Sequence, residues 1–287
     1  MKLYELFGKG RTVFSLEIFP PKRTDGIETL YETLDRLTVV KPDYISVTYG
    51  AGGTAENSLT CRIASDIKHR FGIEPLPHLT CLYNSREQVD ERLAELAAAG
   101  IENILALRGD RMPDREVCGD FLHASDLAEY IRDRGGFNCV GACYPEGHPE
   151  SPSLDDDIDT LRYKVDAGMT HLNSQLFFDN DDFYAYLEKV RAKGIDLPIE
   201  AGIMPVVNAK QIQRIVTNCG ASLPSKFVRI LARYENNPTA LMDAGIAYAI
   251  DQITDLIAGG ADGIHLYSMN RPDVATRIWD AVKNMLV

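Results

Sequence analysis

Short apolar, β-branched runs recur along the chain, each followed by a polar or glycine-rich bend and then by a stretch with helical periodicity. Eight such runs stand out: Val13–Phe19, Tyr44–Tyr49, Leu76–Thr80, Ile104–Leu107, Asn138–Tyr144, His171–Gln175, Ile199–Ile203 and Gly263–Tyr267. Each is short enough for a buried parallel strand. Between them, Leu59, Ile63, Ile67 and Phe71 fall four apart and make one apolar helical stripe. Val89, Leu93 and Leu96 make another, in a helix that Ser85 and Gln88 begin as a capping box and Gly100 ends. A third helical pattern, over 157–167, stops at Gly168. The junctions Ala99-Gly100-Ile101, Ala167-Gly168-Met169 and Gly259-Gly260-Ala261 repeat the same helix-to-strand grammar at unequal spacing, so the chain is not a sequence repeat.

Strands alternating with helices over 287 residues predict the α/β class and a (β/α)8 TIM-type barrel with helical additions, somewhat longer than the roughly 250 residues typical of that fold. A doubly wound open sheet is the alternative. No Pro/Ser linker, low-complexity segment or long charge run divides the chain, and residues 1–287 read as a single domain.

A barrel builds its active site at the C-terminal ends of its strands. Glu17, Thr48, His78, Arg108 with Asp110, Tyr144 with His148, and Gln175 all sit at or just beyond such ends, a clustering that points to an enzyme. In Phe14-Ser15-Leu16-Glu17-Ile18-Phe19 the period of two sets Phe14, Leu16 and Ile18 on one face and Ser15, Glu17 and Phe19 on the other. Glu17 is therefore expected to point into the barrel or its mouth. A carboxyl enclosed there has its charged form disfavoured, which suits a general acid; a glutamate paired with an internal Arg or Lys is the other reading.

The remaining signals narrow the chemistry. Gly50-Ala51-Gly52-Gly53-Thr54-Ala55 fits G-x-G-x-x-A after a strand, but Glu74 precedes the next strand instead of closing it, which argues against a Rossmann dinucleotide site. Arg108 and Asp110, two apart, suit a local ion pair. The loop Tyr144-Pro145-Glu146-Gly147-His148-Pro149-Glu150 gathers Tyr, His and Glu without helical metal-ligand spacing, so ligand contact or loop structure is expected there and no metal. The acidic run Asp155-Asp156-Asp157 begins a helix, where the macrodipole favours it; Lys164 follows it.

A net charge of −12, from 30 Lys and Arg against 42 Asp and Glu, excludes polyanion partners: no nucleic acid and no anionic membrane surface. The start Met1-Lys2-Leu3-Tyr4-Glu5 has no basic n-region or apolar h-region, and no stretch reaches the roughly 18 apolar residues of a spanning helix, so a cytoplasmic protein is expected. The six cysteines are scattered and read as reduced thiols; Cys139 and Cys143 would share a strand face and pack there.

In order along the chain, F-S-L-E-I-F-P-P at 14–21, S-V-T-Y-G at 46–50, P-H-L-T-C at 77–81, A-L-R-G-D at 106–110, Y-P-E-G-H-P-E at 144–150, K-V-D-A-G at 164–168, G-I-M-P-V at 202–206 and N-R at 270–271 resemble the methylenetetrahydrofolate reductases of the bacterial, single-domain type. The resemblance implies a barrel that holds FAD without a Rossmann fingerprint. It also implies a ping-pong path in which NADH or NADPH reduces the flavin and leaves, and 5,10-methylenetetrahydrofolate is then reduced to 5-methyltetrahydrofolate. The bridging methylene becomes electrophilic only when N10 leaves and an N5 iminium forms, so an acid at N10 is required.

By resemblance Glu17 is that acid and Asp110 the aspartate near flavin and pterin, where a carboxylate favours a developing cation. Tyr49, Ala51, His78, Arg108, Gly109, Asp110, Ala124, Ala142, Tyr144, His148, Asp157 and Lys164 match flavin-side positions, Arg108 and Lys164 suiting phosphate or ribose. Thr48 matches a nicotinamide-side position. Gln175 and Gln211 match residues of the shared folate and nicotinamide pocket, and Arg271, with Asp110, matches folate contacts, the arginine suiting the glutamate tail. Ile215 stands where the family pattern has phenylalanine, and Tyr163 where it has arginine, which implies a lost stacking surface and a weakened flavin contact. A homo-oligomer is implied; a protein electron donor is an alternative to the nicotinamide. Allosteric control by adenosylmethionine, carried by a regulatory domain in longer relatives, is not expected. Two other readings compete: a flavin-free barrel enzyme acting on a pterin, such as a methyl transferase, and a non-catalytic folate-binding subunit.

Overall fold

The computed structural model describes residues 1–21, 26–49, 54–112, 114–208 and 219–287. Strands β1 (Val13–Ile18), β2 (Tyr44–Val47), β3 (Glu74–Thr80), β4 (Asn103–Leu107), β5 (Asn138–Cys143), β6 (Met169–Ser174), β7 (Ile199–Ile203) and β8 (Gly263–Tyr267) close into a barrel in sequence order. Every neighbouring pair is parallel, β8 included, whose Gly263–Tyr267 lie against Val13–Glu17 of β1. This is the expected (β/α)8 architecture, and the open sheet is excluded by the β1–β8 ladder.

Strand edges differ from expectation by a residue or two. Phe19, Tyr49, Tyr144 and Gln175 lie beyond the ladders, in the loops that form the mouth. Glu74 opens β3 opposite Tyr44 instead of preceding the strand, and β6 begins at Met169, opposite Cys139.

Helices α1 (Ile27–Leu37), α2 (Thr54–His69), α3 (Arg86–Ala98), α4 (Ala124–Arg134), α5 (Leu154–Asp166) and α6 (Asn180–Ala192) alternate with the first seven strands. Helices α7 (Ser225–Tyr234) and α8 (Pro238–Ala258) both fall between β7 and β8, and α9 (Pro272–Val282) follows β8. The signals read from sequence act where expected. Ser85 and Gln88 form the reciprocal capping box of α3, and Gly100 follows it at φ +68°. Helix α5 begins three residues earlier than its periodicity suggests, because Ser153 caps it by accepting from the Asp156 N–H. Leu59, Ile63 and Ile67 are buried, whereas Phe71 lies past the end of α2.

Alternation along the strands sorts the core into two parts. Phe14, Leu16 and Ile18 of β1, Ile45 and Val47 of β2, Cys139 and Cys143 of β5 and Ile264 and Leu266 of β8 join the helix-facing core, where Trp279 packs 5.3 Å from the Phe14 ring. Inside the barrel, Val13, Tyr44, Leu76, Leu105 and Val140 meet Leu3 and Leu6 of the N-terminal 3-10 turn Leu3–Leu6 and make an apolar floor. Leu3 is pinned there by its N–H, which donates to Asn103 Oδ1 at 2.9 Å.

Candidate active site

Above that floor the inward positions turn polar. A cavity of about 660 Å³ opens at the C-terminal ends of the strands, where a barrel of this kind places its chemistry. Glu17, Thr48, Tyr49, His78, Arg108, Gly109, Asp110, Ala142, Tyr144, His148 and Gln175 all line it, so residues separated by more than 150 positions in sequence converge as expected.

Glu17 is the deepest carboxyl of the cavity, 6% exposed. Its backbone carbonyl accepts from Ser268 Oγ at 2.6 Å, which ties the end of β1 to the loop after β8. Asn270 reinforces that tie: it sits at φ 53°, a conformation asparagine tolerates, and its amide exchanges two 2.9 Å hydrogen bonds with the Phe19 backbone. The Glu17 carboxylate faces two imidazoles, with Oε2 3.5 Å from His78 Nε2 and 3.6 Å from His265 Nε2. The internal partners of Glu17 are thus histidines rather than the Arg or Lys of the alternative reading. Burial pushes the His78 imidazole down to about 4 against the pull of Glu17, so it is neutral at pH 7. Its Nε2 has no hydrogen-bond partner among the described residues.

The rim carries the charges. Arg108 does not pair with Asp110; it makes a bidentate bridge to Glu150, both contacts 2.7 Å, and that hydrogen bonding raises the guanidinium and lowers the carboxyl. Asp110 is exposed at the rim. Tyr144 and His148 meet edge to face at 4.8 Å and form a stiff aromatic wall. Burial raises the Tyr144 phenol to about 12, so it is a neutral donor.

Four expected site residues stand outside the cavity lining. Lys164 lies behind Tyr144, its Nζ 6.0 Å from the ring centre and donating to the Ala142 carbonyl at 2.5 Å. Burial lowers its ammonium. Asp157 accepts from Ser151 Oγ at 3.0 Å, Ala124 is the first residue of α4, and Arg271 is held by Asp273 at 2.8 and 3.1 Å. Tyr163 is 66% exposed and does not reach the cavity, so the position expected to weaken a flavin contact points elsewhere. Ala51, Gln211 and Ile215 lie outside the described residues.

The cavity also includes residues the motifs did not single out: Asn173, His265, Tyr267 and Tyr83 among them. His265 and Tyr267 share the inward parity of Gly263, a signal that strand alternation alone carries.

The family model for methylenetetrahydrofolate reductase matches residues 2–283, nearly the whole chain. The chain belongs to the methylenetetrahydrofolate reductase family. Within it, the chain is 37% identical over 270 residues to 5,10-methylenetetrahydrofolate reductase from Pectobacterium carotovorum subsp. carotovorum, covering 94% of this chain and 90% of that one. It is 36% identical over 284 residues to methylenetetrahydrofolate reductase (NADH) 1 of Arabidopsis thaliana, where the match spans 94% of this chain and 48% of the relative. Among solved structures, a Clostridium thermocellum protein described as binding two copies of 5-methyl-5,6,7,8-tetrahydrofolic acid superposes with a TM-score of 0.67 at 13% identity, covering 96% of both chains, a likeness of fold. This is a family of oxidoreductases.

Proposed function

We propose that the chain reduces 5,10-methylenetetrahydrofolate to 5-methyltetrahydrofolate, with FAD as the resident cofactor and NADH or NADPH as the donor. The observation that carries the reading is the placement of Glu17: a buried carboxyl at the cavity wall, flanked by two imidazoles and by no Arg or Lys among the described residues. A carboxyl on the cavity wall that is not paired with a cation is placed to protonate a leaving amine. Membership of the family, and the NADH specificity in the names of its plant members, support the same reaction.

The residues present fit a flavin. An orphaned, buried His78 Nε2 offers a polar contact in the cavity wall. Gly109 sits at φ +86°, and a Cβ there would come within 3.3 Å of the Thr80 side chain, so the backbone runs close to the cavity wall without obstructing it. Arg108 supplies a cation at the cavity mouth for phosphate or ribose, and the Tyr144 ring, met edge-on by His148, supplies an aromatic surface. When bound, FAD would take a hydride from the nicotinamide and pass it to the folate.

The chain's own part is to orient and to move protons. Glu17 delivers a proton to N10 as the five-membered ring opens, which makes the N5 side an electrophile. Asp110, at the rim, holds the pterin and offsets its developing positive charge. Gln175, held at the end of β6 by its N–H donating to the Cys143 carbonyl at 2.7 Å, faces the shared folate and nicotinamide space. The six free cysteines suit a reducing cytoplasm.

An absorption spectrum with anaerobic half-reactions tests the reading. A flavin that bleaches with NADH and recovers with methylenetetrahydrofolate is expected, and Glu17→Gln should keep the first step and lose the second. A colourless protein that turns over a pterin substrate would overturn the flavin reading in favour of a flavin-free enzyme.

A further inference from the structure

Beneath Glu17 lies a second buried carboxyl that no motif marks. Glu200 of β7 has no solvent exposure, and its Oε2 accepts from Ser15 Oγ at 2.6 Å. The same hydroxyl lies 2.7 Å from Nδ1 of His265, whose opposite nitrogen, Nε2, is the one 3.6 Å from Glu17. Room for Glu200 comes from Gly263, its register partner on β8: a Cβ at 263 would stand 2.7 Å from the Glu200 Cγ. One hydroxyl and one imidazole therefore lie in line between two carboxyls across the barrel interior.

Two arrangements carry one acid proton, and in each the Ser46 hydroxyl, 3.4 Å from Nε2 of His265, can serve that nitrogen, as donor when it is bare and as acceptor when it bears hydrogen. The Ser15 hydroxyl has one hydrogen to give. When it donates to Glu200, the ring carries its hydrogen on Nδ1 and presents a bare Nε2, a contact that is favourable when Glu17 holds the proton. When Glu200 holds the proton and donates to Ser15, the hydroxyl turns to Nδ1 and the Nε2 hydrogen faces a Glu17 carboxylate. Each arrangement places a single proton on one of the two acids, while Oε1 of Glu200 has no hydrogen-bond partner among the described residues.

We infer that Glu17 and Glu200 share one proton through Ser15 and His265, and that Glu200 is a positioning residue that replenishes the proton Glu17 gives up. The inference rests on the reading of Glu17 as the proton donor. In the transfer, the Glu200 proton passes to Ser15 Oγ, the Ser15 hydrogen passes to His265 Nδ1, and the hydrogen on Nε2 passes to Glu17. Three bonds to hydrogen break and three form, the ring changes tautomer without changing charge, and the negative charge moves from Glu17 to Glu200. The store refills by the reverse path when Glu17 is next protonated from the cavity.

The surroundings favour this exchange. Burial lifts the Glu200 acid to about 7, with His265, Ser15 and Tyr44 pulling it down and Asp43 adding to the rise, so both of its forms are accessible near neutrality. His78 from β3, His171 from β6 and Tyr267, edge-on at 5.3 Å, also face His265; burial lowers the two histidines to about 4 and about 3 and raises the phenol well above its ordinary value, so none introduces a competing charge there at pH 7. Tyr44 from β2 is raised well above its ordinary value and stays neutral.

Nitrogen-15 NMR of histidine-labelled protein reads the tautomer of His265 directly, without turnover. At pH 7 the wild-type ring should show both its Nδ1–H and Nε2–H forms, and Glu200→Gln should fix it in one. In the flavin-loaded enzyme, Glu200→Gln should slow the folate half-reaction by about tenfold, with unchanged KM and with the near-neutral limb of its pH profile lost. Ser15→Ala, which cuts the chain while keeping both acids, should give the same loss, and the double variant no more. A wild-type His265 held in one tautomer at pH 7, or a wild-type pH profile in both variants, overturns the inference. Retention of the folate step by Glu17→Gln would instead remove the functional reading, while the NMR shift would still report the link between the acids.

Discussion

Successive residues of β1 belong to two different environments, and the contrast runs around the whole barrel. Phe14, Leu16 and Ile18 face the helices and are buried among apolar neighbours. Ser15 and Glu17, equally buried, face inward: Ser15 hydrogen-bonds to Glu200 and His265, and the Glu17 carboxyl faces His78 and His265. The outer face is held by area removed from water and by close packing, which tolerate exchange of one aliphatic group for another of similar volume. The inner face is held by polar groups that cost free energy unless each finds a partner, so its residues are specified atom by atom. Barrel interiors are commonly filled by layers of branched apolar residues. Here only the floor is built so, and the layer above it is given over to titratable groups.

Neighbouring substitutions on the two faces should therefore fail in different ways. The largest expected effect is on the inner face: Glu17→Gln should slow the folate half-reaction by about 10²–10⁴-fold, with reduction of the flavin by NADH and the melting temperature nearly unchanged. One residue away, Leu16→Ala should cost about 2–5 kcal/mol of stability in chemical denaturation and leave the rate per folded molecule close to that of the wild type. A Leu16→Ala protein that melts normally but does not turn over would break the comparison.

The outer face was also the more legible from sequence. Its apolar periodicity located every strand and the stripes of α2 and α3, because burial against helices leaves a repeating mark on the chain. Glu17, His78 and Arg108 were legible for another reason: each lies in a distinctive run at a strand end. Glu200, Ser15 and His265 were not. They are isolated polar residues inside strands, and what makes them a group is register across β7, β8 and β1, which no local pattern contains. The partner of Arg108 was misassigned for the same reason, since Glu150 is 42 positions away whereas Asp110 is two.

The rim offers a smaller test, because its charges are partly solvated. Arg108→Ala removes a cation from the cavity mouth and frees Glu150, and it should weaken flavin retention by roughly ten- to a hundredfold, or about 1.5–3 kcal/mol, read by equilibrium dialysis of the cofactor. Tight flavin retention by this variant would move the phosphate contact away from Arg108.

The smallest effect is a slope, and it isolates the inner face without any ligand. Burial lowers His78 and His171 to about 4 and about 3 and raises Glu200 to about 7. Between about pH 4.5 and about pH 6.5 the unfolded chain therefore binds a proton on each histidine, whereas the folded chain binds one on Glu200 and none on the histidines. These three groups give a net excess of about one proton in the unfolded state, so their contribution to stability falls on acidification by about 1.4 kcal/mol per pH unit. Glu200→Gln removes the proton on the folded side and raises the excess to about two, so stability should fall more steeply with acid by a further 1.4 kcal/mol or so per unit. Histidine replacement acts in the opposite sense: His171→Leu should flatten the slope by about the same amount, since its unfolded-state proton is lost. Urea denaturation of the three proteins across that window compares the slopes directly, and carboxylates elsewhere cancel because all three chains share them. Parallel slopes for the wild type and Glu200→Gln would mean that Glu200 is already ionised in the folded barrel, and the inner face would then hold two carboxylates where one proton is now argued to sit.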